Sequence, residues 1–195
     1  MASADHGAQP PDADHDLKLL RRAQQGDDAA FEELMSRYSD LFHALASFLV
    51  GRSADAEDVV QDTFLAAYES MRSFQARSSV KTWLSAILLR RAALCHRRSS
   101  ARRSAQSGRL SDASRALLNG NTAASLTAAS DVKMDVLAVL QTLQPDHREI
   151  VVLREMDGMS YQQIADVLDL PGGTVESRLF RARQELKMRL KDYKD

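Results

Sequence analysis

The stretch MSYQQIADVLDLPGGTVESRLFRAR, Met159 to Arg183, decides how the chain is read. It spells helix, tight turn, helix. Ser160 with Gln163 three residues on is the capping-box pattern of a helix start. Ile164, Ala165 and Leu168 fall on one face, and Ala165 is small, as a close helix crossing requires. Asp169-Leu170-Pro171-Gly172-Gly173 breaks that helix, because proline lacks a donor and glycine leaves the backbone loose. A second helix follows, with Val175 and Leu179 inward and Ser177, Arg178, Arg181 and Arg183 on or near its outward side. This is the layout of a DNA-binding helix-turn-helix, whose second helix enters the major groove. Short helices around a glycine turn also occur in ordinary bundles, and a basic helix is often a solvated face. The rest of the chain has to decide.

Upstream, Val136, Leu137, Val139, Leu140 and Leu143 predict a helix ending before Pro145. Asp146 to Met156 predicts another, with Ile150, Val151 and Leu153 inside and Gly158 as its C-terminal stop. A small helical domain therefore spans 132–191, and Asp192 to Asp195 is a polar end. Before it, 99–131 is rich in Ser, Ala, Arg and Asn and has no sustained apolar stripe. That composition predicts a linker, flexible or partly helical, with a turn of helix at Arg115.

A second helical domain is expected over 17–98. Asp16 is a candidate cap for a first helix carrying Leu17, Leu19, Leu20 and Ala23, which Gly26 and Asp27 break. A helix from Asp28 to Leu49 has Phe31, Leu34, Tyr38, Phe42, Leu45 and Leu49 on one stripe. After the turn Gly51-Arg52-Ser53, a third helix opens at Asp55, with Ala56, Val59, Val60, Thr63, Phe64, Ala67 and Tyr68 toward the core. Asp55, Asp58, Gln61 and Asp62 are left as an outward face, with carboxylates in the first turn where the helix dipole favours them. A solvated cap and a docking face both fit. Met71 to Val80 reads as a loop and Lys81 to Arg98 as a long helix. Trp83 at the loop–helix junction suits either the core or a single-stranded base. The segment 1–16 is polar and aperiodic, which predicts a disordered tail and no signal peptide.

Charge is distributed unevenly, although its net is only −1. From Asp27 to Glu69 there are ten acidic and two basic residues; from Ser70 to Leu110 there are ten basic and none acidic. From Gly172 to Lys191 there are six basic and two acidic. Separate faces for separate partners follow: the acidic block suits a basic protein surface, the basic blocks nucleic acid. The aromatic content of 6%, with 8 Gly and 4 Pro, favours an all-α fold. No apolar run reaches the length of a membrane span. A single cysteine, Cys95, excludes an internal disulfide, fits a reducing cytoplasm and reads as inert rather than a redox control. The histidines show no metal-ligand spacing, and no nucleophile set or phosphate loop is present, so no metal, cofactor or enzymatic chemistry is expected.

Three stretches in this order resemble a bacterial RNA polymerase sigma factor of the extracytoplasmic-function (ECF) group. They are Asp55-Ala-Glu-Asp-Val-Val-Gln-Asp-Thr-Phe64, Val80-Lys-Thr-Trp-Leu84 with the arginine-rich helix after it, and Leu143-Gln-Pro-Asp-His-Arg-Glu-Ile150 with the helix-turn-helix. The resemblance covers about Leu17 to Leu190 apart from the linker. It implies a sigma-two-like domain, a flexible linker and a sigma-four-like domain. It implies that Asp55, Glu57, Asp58, Gln61 and Asp62 bind core RNA polymerase. It implies minus-ten promoter DNA at Arg77, Ser78, Ser79, Lys81, Arg90, Arg91, Arg97 and Arg98, with a flipped base held by the loop Phe74 to Val80. It implies minus-thirty-five DNA at Ser160, Tyr161, Gly173, Thr174, Glu176, Ser177, Arg178, Arg181 and Arg183, a linker running along the RNA exit path, and an anti-sigma factor as a further partner. Two positions depart from the family pattern. Asp169 replaces a common turn glycine and is expected to take the left-handed backbone at small cost. Glu176 replaces a common lysine; it accepts from cytosine N4 but repels phosphate. The alternatives are a conventional helix-turn-helix regulator that binds duplex DNA without polymerase, and an adaptor that mimics the sigma fold.

Overall fold

The computed structural model describes residues 13–107 and 136–192, and all regular structure among them is helical. Residues 1–12, 108–135 and 193–195 lie outside the described residues, and with them fall most of the expected tail 1–16 and linker 99–131, the expected turn at Arg115 and the expected start of the second domain. The first domain comprises α1 (Ala13–Gln24), α2 (Asp28–Val50), α3 (Ser53–Ser70), a 3-10 turn (Met71–Ser73) and α4 (Val80–Ser107). The second comprises a helix over 136–142 (α5), α6 (Pro145–Val151) running into a π-helical turn (Val152–Met156), α7 (Tyr161–Leu168) and α8 (Gly172–Asp192).

In the first domain, α2 is the central helix, buried along Phe31, Leu34, Tyr38, Phe42 and Leu45. Asp27 caps it by accepting from the Ala30 amide, and left-handed Gly51 ends it. Asp16 is not a cap. Helix α1 starts three residues earlier, at Ala13, and Asp16 is only 1% exposed. Its carboxylate accepts from the Tyr38 hydroxyl and from Arg37 Nε. A buried carboxylate needs such donors, and α2 supplies them. Tyr68 also departs from expectation: it lies at the surface, its hydroxyl donating to Asp28 Oδ1 at 2.9 Å. Ser79 Oγ accepts from the Thr82 amide and so opens α4, which continues past Arg98 into the stretch expected as linker. Alanine and arginine there are strong helix formers and need no apolar stripe.

In the second domain, Pro145 stands at the first turn of α6, where its missing donor costs nothing. Gly158 (φ +73°) turns the chain after the π-helical turn. Both halves of the capping box at Ser160 form: the Ser160 amide donates to Gln163 Oε1 at 2.8 Å, and the Gln163 amide to Ser160 Oγ at 3.2 Å. Asp169 is left-handed at φ 53°, ψ 51°, as its side chain type allows. Ile164, Val175 and Leu179 close the core beneath the turn.

The two domains pack together, and their buried apolar residues form one cluster. The last carbonyls of α2 have no partner within the helix. The second domain supplies donors: Gln141 Nε2 to Phe48 O and Arg148 Nη1 to Leu49 O, both at 2.8 Å. His96 Nε2 of α4 also donates to Leu49 O, at 2.8 Å. Gln141 lies so close over Gly51 that a Cβ there would stand 2.5 Å from its Cδ. Helix α7 faces the start of α4, where Gln163 Nε2 donates to Thr82 Oγ1 at 3.2 Å.

Candidate nucleic-acid and polymerase interfaces

Helix α3 presents its carboxylates outward. Glu57, Asp58, Gln61 and Asp62 are exposed, and Leu65 continues their stripe one turn on, 59% exposed. Asp55 is half-buried, with Arg52 Nε 3.7 Å from its Oδ2. Among the described residues Glu57, Asp58 and Asp62 make no ion pair. Cys95 is half-buried across from this helix; burial pushes its thiol up, and Asp55 adds to the shift. A thiol so placed is a poor nucleophile.

The expected minus-ten residues fall into three places. Arg77 and Ser78 are exposed in the loop before α4, next to Ala76 at φ 55°. Ser79 is the cap of α4, and Lys81 in its first turn is half-buried against Asp157 of the second domain. Arg90, Arg97 and Arg98 are exposed farther along α4, and Arg91 is half-buried. Arg90 and Arg91 line a shallow groove with Glu69, Ser70 and Leu94 between α3 and α4. Trp83 is half-buried and packs on Phe74, ring centroids 5.0 Å apart, and on the core.

The expected minus-thirty-five residues lie along α7 and α8. Tyr161 is exposed, with the Arg154 guanidinium 5.2 Å from its ring centroid. Gly173, Glu176, Ser177 and Arg181 line one shallow concavity on α8, which Phe180 completes. Phe180 is 64% exposed, and sequence reasoning did not select it. The signal was present, because Ser177 and Phe180 are spaced to share the outward face. Thr174 is half-buried. Arg178 Nη1 lies 3.3 Å from Asp146 Oδ2, and Arg183 Nη2 lies 2.6 Å from Glu155 Oε1. Asp146 crowds Glu149, whose carboxyl is pushed up first by burial and then by that neighbouring charge.

The other residue that sequence reasoning missed is Asp157. It lies 76 positions from Lys81, and no local pattern marks it. No group of His, Cys, Asp or Glu among the described residues is arranged to hold a metal ion, and no described helix is long and apolar enough to cross a membrane.

Two known family models match the chain. Residues 34–103 match the model for sigma-70 region 2, and residues 133–186 that for sigma-70, region 4. The ECF RNA polymerase sigma-E factor of Haemophilus influenzae is 34% identical over 180 residues, covering 90% of this chain and 95% of the relative. The chain belongs to the ECF family of RNA polymerase sigma factors. The sigma-E factor of Escherichia coli K12 is 35% identical, covering 88% of this chain and 92% of its own length. Among solved structures, CnrH in complex with the cytosolic domain of CnrY matches with a TM-score of 0.68 and 29% identity, covering 93% of this chain and 99% of that one. The sigma factor RpoE in complex with the anti-sigma factor NepR from Bartonella quintana matches with a TM-score of 0.64 and 29% identity, covering 82% and 95%. As an ECF sigma factor, the chain directs core RNA polymerase to promoters and initiates transcription. The family is not an enzyme class in itself.

Proposed function

We propose that the work of this sigma factor is divided among three faces. The outward stripe of α3, Asp55, Glu57, Asp58, Gln61 and Asp62, docks on a basic surface of core polymerase, with Leu65 adding apolar contact. The loop and helix carrying Arg77, Ser78, Ser79, Lys81, Arg90, Arg91, Arg97 and Arg98 receive the opened minus-ten strand. Extruding a base costs a few kcal/mol, which a loop pocket and a row of cations offset. Helix α8 enters the major groove at the minus-thirty-five element. There Glu176, Ser177, Phe180 and Arg181 face base edges, the methyl of thymine being the natural contact for Phe180. Ser160, Tyr161, Gly173, Thr174, Arg178 and Arg183 hold the backbone and orient the helix.

The observation that carries this division is the segregation of charge: unpaired carboxylates on exposed α3, exposed arginines on α4 and α8. Two solved relatives are bound to a second protein, one of them an anti-sigma factor. That supports an anti-sigma factor as a partner of this chain too.

Run-off transcription with purified core polymerase and a genomic fragment library tests the reading. New starts sharing two upstream motifs at fixed spacing are expected. Duplex binding by the protein alone, with no new starts, would overturn it in favour of a conventional regulator.

A further inference from the structure

We propose that the free chain holds itself shut: Asp157 of the second domain occupies the start of α4 in place of a promoter phosphate and must leave before the strand can engage. This rests on the reading of Ser79 and Lys81 as part of the minus-ten face.

Asp157 is 4% exposed. Lys81 Nζ stands 2.7 Å from its Oδ1 and donates to its backbone carbonyl at 2.6 Å. Ser85 Oγ, one turn farther along α4, donates to Oδ2 at 2.9 Å. An ammonium, a hydroxyl and the positive end of a long helix are what a phosphate diester seeks. Here a carboxylate takes the ammonium and the hydroxyl, and Gln163 on Thr82 closes the flank. A DNA strand and Asp157 cannot use Lys81 at once.

The clasp is built to open. Desolvation cancels much of the attraction within a buried ion pair, and opening returns both charges to water. Asp157 Oδ1 has Lys81 as its one partner, so its hold depends on that single contact. The remaining cross-domain bonds cap α2 carbonyls that water caps when the domains part. Closure lowers the apparent affinity for the strand by the fraction of molecules that are open.

Two measurements on the full chain without polymerase test this: small-angle scattering, and binding of a fluorescein-labelled random single strand of about 20 nucleotides at fixed salt. Asp157→Ala is expected to raise the radius of gyration and to tighten strand binding by about threefold or more. Asp166→Ala, which removes the same charge from an exposed site, is expected to change neither. An unchanged radius in Asp157→Ala overturns the clasp. A larger radius with unchanged binding, or equal tightening in Asp166→Ala, overturns the occlusion. Should Asp157→Ala lose its helical circular dichroism, Asp157→Asn, which keeps the shape and removes only the charge, carries the test with the same expected directions. Failure of the wild-type chain in run-off transcription would overturn the role given to Lys81 and leave the scattering result standing on its own.

Discussion

Arg148 crosses the domain boundary to Leu49, its Nη1 donating to the Leu49 carbonyl at 2.8 Å. The same guanidinium donates from Nε to Leu140 O at 2.9 Å and from Nη2 to Gln141 O at 2.8 Å. Burial draws its pKa below the ordinary arginine value, and each of its three nitrogens donates to a carbonyl. Arg148→Met keeps the stem and removes every donor. Urea unfolding is expected to show a loss of about 2–4 kcal/mol, since several buried carbonyls are orphaned. Arg148→Lys should recover little, because an ammonium cannot span the fork. A loss below about 1 kcal/mol would mean that water replaces the guanidinium at no cost.

Reversing the α3 face tests docking. Asp58→Arg with Asp62→Arg changes two exposed, unpaired side chains. Helicity should be unchanged while affinity for core polymerase is lost. Unchanged affinity in a pull-down or fluorescence titration would remove the docking role.

Arg178 and Arg181 should separate under mutation. Arg181 faces the exposed concavity of α8, whereas Arg178 is held by Asp146 at 3.3 Å. Arg181→Ala is expected to cost about 1–3 kcal/mol on the cognate promoter and little elsewhere. Arg178→Ala should weaken all sequences alike and reduce the salt slope by about one. Binding isotherms over a salt series, on cognate and scrambled minus-thirty-five duplexes, distinguish the two.

Asp169 holds a left-handed backbone at φ 53°. Asp169→Gly relieves that strain and should leave stability unchanged or raise it by up to about 1 kcal/mol. Asp169→Val should lower it by about 1–2 kcal/mol, as a branched side chain tolerates this region badly. Thermal melts of both variants measure the difference.

Glu149 predicts a pH dependence. Its carboxyl is raised above the ordinary 4.5 by burial and by Asp146, so the fold disfavours its charged form. The native state therefore holds the proton at pH values where the unfolded chain has lost it. Stability from this group is complete below 4.5 and declines as pH rises through the raised native value. Glu149→Gln should raise the melting temperature at pH 7 and make little difference at pH 4. Equal effects at both pH values would refute the assignment.

Much of the fold was legible because it is local. Leucine and phenylalanine spacing marked α2, the Ser160–Gln163 box marked α7, and the tolerance of aspartate for left-handed backbone anticipated Asp169. What escaped was set by distant neighbours. Asp16 has the composition of a cap, but its true partners are Tyr38 and Arg37 on another helix. Tyr68 has the spacing of a core residue, but Asp28 holds its hydroxyl at the surface. Within the candidate site, the exposed carboxylates and arginines follow from helical spacing alone. That Lys81 is held by Asp157 follows only from how the two domains meet.

Gly51 carries a genetic consequence. Its backbone is left-handed, and Gln141 fills the space where its side chain would grow. Any other residue at this codon strains the end of α2 and displaces the flexible end of Gln141, which removes its hydrogen bond to Phe48 O across the domain boundary. Selection for constitutive alleles should therefore return substitutions at Gly51 alongside those at Asp157. Such alleles would be dominant and gain-of-function, arising at positions with no direct part in reading a promoter.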